Sequence, residues 1–171
     1  MRLPRPSSHP SLRPFALPRS VLLLAALLLA ASPSGADEPW LWPVDDAEIV
    51  DDWRAPAHRY GPGHRGIDLR PPPGAVVRAP AAGTVAFVGT VVDRPLITID
   101  HGEGAVTTLE PVASALSPGD VVARGDPVGE IATGGHTAAG AVHFGVRVHG
   151  EYVNPRLFVG GVPRAILLPC C

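Results

Sequence analysis

The β-prone runs of this chain are short, and turn residues end nearly all of them. The runs are Val76-Val77, Thr84-Val85-Ala86-Phe87-Val88, Leu96-Ile97-Thr98-Ile99, Ala105-Val106-Thr107-Thr108-Leu109, Val121-Val122, 128–131, 141–148 and Tyr152-Val153. Gly74, Gly83, Gly89, His101-Gly102, Pro118-Gly119, Gly125-Asp126 and His149-Gly150 punctuate them. Past residue 50 no apolar pattern keeps a helical period for three turns. Short strands at this spacing predict a mainly β domain, an antiparallel sheet or sandwich. Ile49 and Val50 are expected to form its first strand.

A weak internal echo supports a β core. Gly74-Ala75-Val76-Val77 leads to Gly83-Thr84-Val85, and Gly119-Asp120-Val121-Val122 leads to Gly129-Glu130-Ile131. Each unit reads as strand, turn and return strand. Biotinyl and lipoyl carrier domains contain a similar paired unit, but they attach their cofactor to a lysine. This chain has no lysine, which excludes the carrier function.

The 171 residues leave room for one domain. Arg2, Arg5, Arg13 and Arg19 precede an uninterrupted apolar run from Val21 to Ala31. That run is too short for an ordinary membrane span and suits a signal peptide. Small residues in Ser34-Gly35-Ala36 place cleavage after Ala36. The expected organisation is a signal peptide at 1–36, a linker at 37–42, a domain at 43–158 and a C-terminal tail at 159–171. No other stretch is long and apolar enough to span a bilayer. Loss of the leader leaves ten arginines against sixteen acids, a net charge of −6. That balance argues against a nucleic-acid partner, which needs a basic face. The only cysteines, Cys170 and Cys171, cannot staple the domain and are read as a free or intermolecularly paired tail. Trp40 and Trp42 flank Leu41 and are read as packing on the core edge rather than binding sugar.

The chemistry concentrates in Gly63-His64-Arg65-Gly66-Ile67-Asp68-Leu69 and in Val142-His143-Phe144. A helix around His64 is disfavoured by Gly61, Pro62, Gly63, Gly66 and Pro71-Pro72-Pro73. In an ideal strand His64 and Asp68 would share a face but sit about 13 Å apart. Two ligands of one zinc ion, each about 2 Å from the metal, require long side chains to converge or the backbone to bend between them. Gly66 is the residue expected to permit the bend. On spacing alone two readings stand: a metal site, or a polar loop in which His64 and Asp68 hydrogen-bond.

The motif series resembles the lysostaphin/LytM-type zinc peptidases. Beyond the two segments above it includes Pro73-Gly74-Ala75-Val76-Val77-Arg78-Ala79, Gly83-Thr84-Val85, His101-Gly102-Glu103-Gly104, Gly119-Asp120-Val121-Val122 and Val153-Asn154-Pro155. The ordered series covers roughly residues 60–158. The resemblance implies one zinc ion held by His64, Asp68 and His143, with a fourth position left for water. It implies an exported, cell-wall-associated bacterial enzyme cutting peptidoglycan peptides. His101 is read as a structural turn residue.

Two departures bear on catalysis. The family carries a His-x-His pair, and the position of its first histidine is Ala141 here. It also carries a tyrosine and a second catalytic histidine, at the positions of Leu109 and Pro111. Glu110 and His136 are the available substitutes. Glu110 is expected to need a local twist or bulge to face the metal. His136 lies in a loop, 133–140, one residue longer than the family pattern. Arg65 and Arg147 could hold a substrate carboxylate or form surface salt bridges. Three functions remain open: a peptidase; a catalytically degenerate member that binds peptidoglycan or regulates a wall hydrolase; and a β domain with a purely structural zinc site.

Overall fold

The structure, a computed structural model, describes residues 38–160. The signal-peptide reading and the Cys170-Cys171 tail fall outside these residues. Among them the regular elements are β1 (Glu48–Asp51), β2 (Ile67–Arg70), β3 (Val76–Arg78), β4 (Gly83–Val91), β5 (Arg94–Asp100), β6 (Ala105–Glu110), β7 (Val112–Ala113), β8 (Val121–Val122), β9 (Pro127–Ile131), β10 (Val142–Val148) and β11 (Glu151–Val153). A single 3₁₀ turn follows at Pro155–Leu157. The mainly β, antiparallel architecture expected from the sequence is the one observed.

The strands form two sheets. The large one runs β1-β2-β10-β6-β5-β4-β8, with β11 also paired to β10. The small one runs β3-β9-β7. The internal echo has a structural meaning. The first strand of one unit pairs with the return strand of the other, β3 with β9 and β8 with β4. The two units therefore exchange strands rather than folding separately.

Strand alternation sorts the side chains. Ile97 and Ile99 of β5, Leu109 of β6, and Val142, Phe144 and Val146 of β10 are fully buried. They join Val77, Val112 and Val128 of the small sheet in one apolar cluster. Burial of each such side chain contributes about 1.5–3 kcal/mol relative to exposure. Trp40 and Trp42 pack against this cluster, as read from the sequence. The Trp42 ring meets Phe144 edge-on at 6.5 Å. The opposite face of β5, β6 and β10 lines an open groove of about 300 Å³. His149 and Gly150, both at positive φ, form the two-residue turn from β10 to β11 that lays Tyr152 beside Arg147.

Candidate metal centre

β10 is the middle strand of the site. His143 is the cross-strand partner of Asp68 on β2 and of Glu110 on β6. His64 arrives from the segment before β2. Asp51 pairs with Asp68 and Arg54 with His64, so three steps on one chain face four on the other. The extra residue bends the backbone, as a bulge does, and the side chains of His64 and Asp68 converge. His64 Nε2 lies 3.1 Å from Asp68 Oδ1 and 3.2 Å from His143 Nδ1. His143 Nδ1 lies 2.8 Å from Asp68 Oδ1. All three side chains are buried.

Gly66 is needed for a reason other than the expected one. It is not among the residues at positive φ. Space decides: a Cβ at Gly66 would stand 2.5 Å from His143 Cε1 and Nε2 and from Phe144 O.

Proton accounting tests whether this triangle suits a cation. His64 Nδ1 stands 2.9 Å from the carbonyl oxygen of Asp52. A carbonyl only accepts, so Nδ1 carries the proton, and in the neutral form of the ring Nε2 presents its lone pair. Asp68 Oδ1 is a second acceptor, and neutral His143 can supply one proton to the triangle. At least one short edge, His64 to Asp68, then sets two lone pairs face to face. A cation resolves that conflict. The edges are close to the roughly 3.3 Å between tetrahedral ligands bound about 2.0–2.1 Å from zinc. Two imidazoles and a carboxylate are the donor set zinc takes, so the residues fit the ion.

The Asp52 carbonyl is itself held in place. Arg156 donates to the Asp52 carboxylate from Nε at 3.2 Å and from Nη2 at 2.8 Å. That hydrogen bond holds the Asp52 carboxyl below the usual carboxylate range. The Asn154 side chain accepts from Arg156 N at 3.0 Å and caps the 3₁₀ turn. The closing Asn154-Pro155 segment thus supports the tautomer of a metal-site histidine from a distance.

The structure also brings the two substitute groups to this place. His136 is exposed, with its ring centroid 5.0 Å from that of His143 and 6.0 Å from that of His64. Its donor atom and those of His64, Asp68 and His143 all lie within 4.8 Å of one another. Desolvation beside the triangle moves its imidazole below the ordinary histidine range. Glu110 reaches the site face without the expected bulge. Thr107 and Leu109 point into the core, so Glu110 and Thr108 face the groove. Leu109 and Ala141 are fully buried and Pro111 is buried. Apolar side chains therefore fill the three positions where the resembled family carries polar rings.

Arg94 is the residue the sequence did not single out. Its Nε stands 3.0 Å from Glu110 Oε2. A Cβ at Gly135 would lie 2.5 Å from its Cδ, so its stem also abuts the loop that carries His136. No motif marks an arginine at a hairpin end. Its place follows only from the β5–β6 pairing. Arg65 donates to the carbonyls of Arg59 and Gly61, at 2.9 and 3.0 Å. Among the described residues neither Arg65 nor Arg147 forms the salt bridge considered for it. His101 is structural: Nδ1 donates to Ala82 O at 2.9 Å and Nε2 accepts from the Thr107 hydroxyl at 3.0 Å.

Comparison with known proteins adds likenesses in sequence and in fold. The pattern of peptidase family M23 matches residues 62–155. An uncharacterised protein of Mycobacterium tuberculosis is 38% identical over 133 residues, covering 75% of this chain and 53% of that protein. The DD-carboxypeptidase/endopeptidase Mpg of Neisseria meningitidis is 34% identical over 94 residues, covering 54% of this chain and 22% of that protein. The crystal structure of a zinc-containing peptidase from Vibrio cholerae superposes with a TM-score of 0.59 at 24% identity, covering 69% of this chain and 39% of that one. The chain spans about half the length of the mycobacterial relative.

Proposed function

We propose a peptidase function from one premise: the chain belongs to peptidase family M23. In this reading it is an exported zinc metalloendopeptidase that cuts peptides of bacterial cell-wall peptidoglycan. The observation that carries the reading is the buried triangle of His64, Asp68 and His143, with edges of 2.8–3.2 Å and too few protons to satisfy them. The DD-carboxypeptidase/endopeptidase activity in the name of the Neisseria relative supports a peptide substrate. Export rests on the leader at 1–36, ahead of a domain at 43–158. Among the described residues no helix is long and apolar enough to cross a membrane.

Zinc bound there would supply Lewis acidity. His64 would hold it through Nε2, Asp68 through Oδ1 and His143 through Nδ1. The Asp52 carbonyl fixes the tautomer of His64. Glu110 and His136 handle protons in place of the absent imidazoles, the first at its carboxylate oxygens and the second at a ring nitrogen. Arg94 positions both.

One observation favours a second reading. Buried Leu109, Pro111 and Ala141 stand where the family's auxiliary rings belong. This suits a catalytically degenerate member that binds peptidoglycan or regulates a wall hydrolase. Single-turnover cleavage of purified peptidoglycan, with zinc assayed on the same sample, separates the two. The peptidase reading expects cleavage that disappears in His64→Ala. Stoichiometric zinc and wall binding without cleavage would establish the second reading instead.

A further inference from the structure

We propose that Arg147 is a carboxylate-recognising subsite of the groove, selecting peptide substrates that carry a free carboxylate away from the scissile bond. The proposal rests on the peptidase reading for its ligand class and on independent geometry for its location.

Arg147 lies four residues beyond His143 on β10, so both side chains face the groove, with Cα atoms about 13 Å apart. Arg94, Glu110, His143, Gly145, Arg147 and Tyr152 line that groove. Its charges are not balanced. Arg94 is matched by Glu110 and Asp93. Arg147 has no carboxylate partner among the described residues, although the whole chain is net acidic. Its Nε is buried and makes no hydrogen bond. A buried N–H donor without a protein acceptor is costly, and an acceptor on a ligand in the groove would satisfy it.

The guanidinium is also held ready. Tyr152 pairs with Arg147 across β10 and β11, and Arg147 Cζ lies 5.7 Å from the Tyr152 ring centroid. Arg65 Cζ approaches the same ring at 6.0 Å, while its Nη2 is committed to two backbone carbonyls. The Tyr152 ring thus orients Arg147 without neutralising it. A planar guanidinium presented this way matches a carboxylate bidentately, which an ammonium cannot do.

The experiment uses the zinc-loaded full chain. Calorimetry measures binding of a tetrapeptide released from peptidoglycan and of the same peptide with its carboxylates amidated. The free acid should bind about tenfold or more tightly, as a charge-assisted bidentate contact implies. Arg147→Met should bring the acid down to the affinity of the amide. Arg147→Lys keeps the charge and stem and should recover only part of the preference. Equal binding of acid and amide by the native chain overturns the proposal. So does a preference that survives in Arg147→Met, or failure of the acid to bind at all. Cleavage is read separately. An intact acid preference without cleavage sinks the peptidase reading and keeps the subsite. Cleavage of acid and amide at equal kcat/KM does the reverse.

Discussion

Glu110 and His143 are direct cross-strand partners on β6 and β10. Opposed side chains in such a pair have Cβ atoms about 5 Å apart and lie on one face. A carboxylate is therefore built beside the proposed metal centre, and Arg94 fixes its orientation from β5.

Glu110→Gln and His136→Ala test the proton-handling roles. Each removes one candidate group and leaves His64, Asp68 and His143 in place. Each should lower kcat by about 10²–10⁴-fold, the usual contribution of general acid–base catalysis. Zinc content should not change. A single variant with full loss, beside a neutral one, would assign the whole role to one residue.

Arg94→Ala should lower kcat with little change in zinc content, because it releases Glu110 and a contact of the His136 loop. Its effect should be non-additive with Glu110→Gln, since the two residues act as one unit. Arg94→Lys should recover part of the loss. Strict additivity in the double-mutant cycle would remove Arg94 from the positioning role.

Zinc should also stabilise the fold. A ligand at about 100 times its Kd adds about 2.7 kcal/mol when it binds only the native state. Chelation should lower Tm by several degrees in the native chain and leave Asp68→Asn nearly unmoved. Gly66→Ala should resemble the chelated protein, because its Cβ would press on His143 and on the backbone at Phe144. Native-like zinc content and Tm in Gly66→Ala would show that the close approach is not needed.

These residues also show what the sequence could disclose. The strands were legible because glycine and proline turns bound short β-branched runs. The echo around Val76 and Val121 marked β3, β4, β8 and β9 but not their exchange between the two units. The face occupied by Glu110 was legible but misjudged. Leu109, an apolar residue in a strand, belongs to the core, and alternation then sends Glu110 to the groove. The role of Gly66 was misassigned to backbone freedom because a close approach from β10 leaves no trace in nearby residues. Arg94 and the Asp52 carbonyl carried no motif at all. Their roles come from register and from a main-chain atom.

His101 provides a pH-dependent check on the fold. Burial moves its imidazole below the ordinary value of 6.5, with the Ala82 carbonyl partly opposing the shift. A histidine with a depressed folded pKa favours the neutral form. Its contribution is complete above pH 6.5 and declines as pH falls below that value. Long-range ¹H–¹⁵N NMR should show the Nδ1–H tautomer and a titration midpoint under 6.5. An Nε2–H tautomer at neutral pH would contradict the hydrogen bonds to Ala82 and Thr107.

Restoring the first histidine of the family's pair should fail. Ala141 stands two residues before His143, so alternation turns its Cβ toward the same side. Yet Ala141 is fully buried, and its N–H donates to Ala138 O at 2.9 Å, folding the end of the His136 loop back against it. An imidazole at 141 must displace neighbours of this buried position. Overpacking of this kind costs about 1–3 kcal/mol. Ala141→His should therefore melt at a lower temperature than the native chain and should not cleave peptidoglycan faster. The comparison needs only thermal denaturation and the single-turnover assay. An Ala141→His protein of native stability and higher kcat would mean that the loop yields readily. The site would then lack only a side chain, and His136 would not be a replacement held in position by the fold.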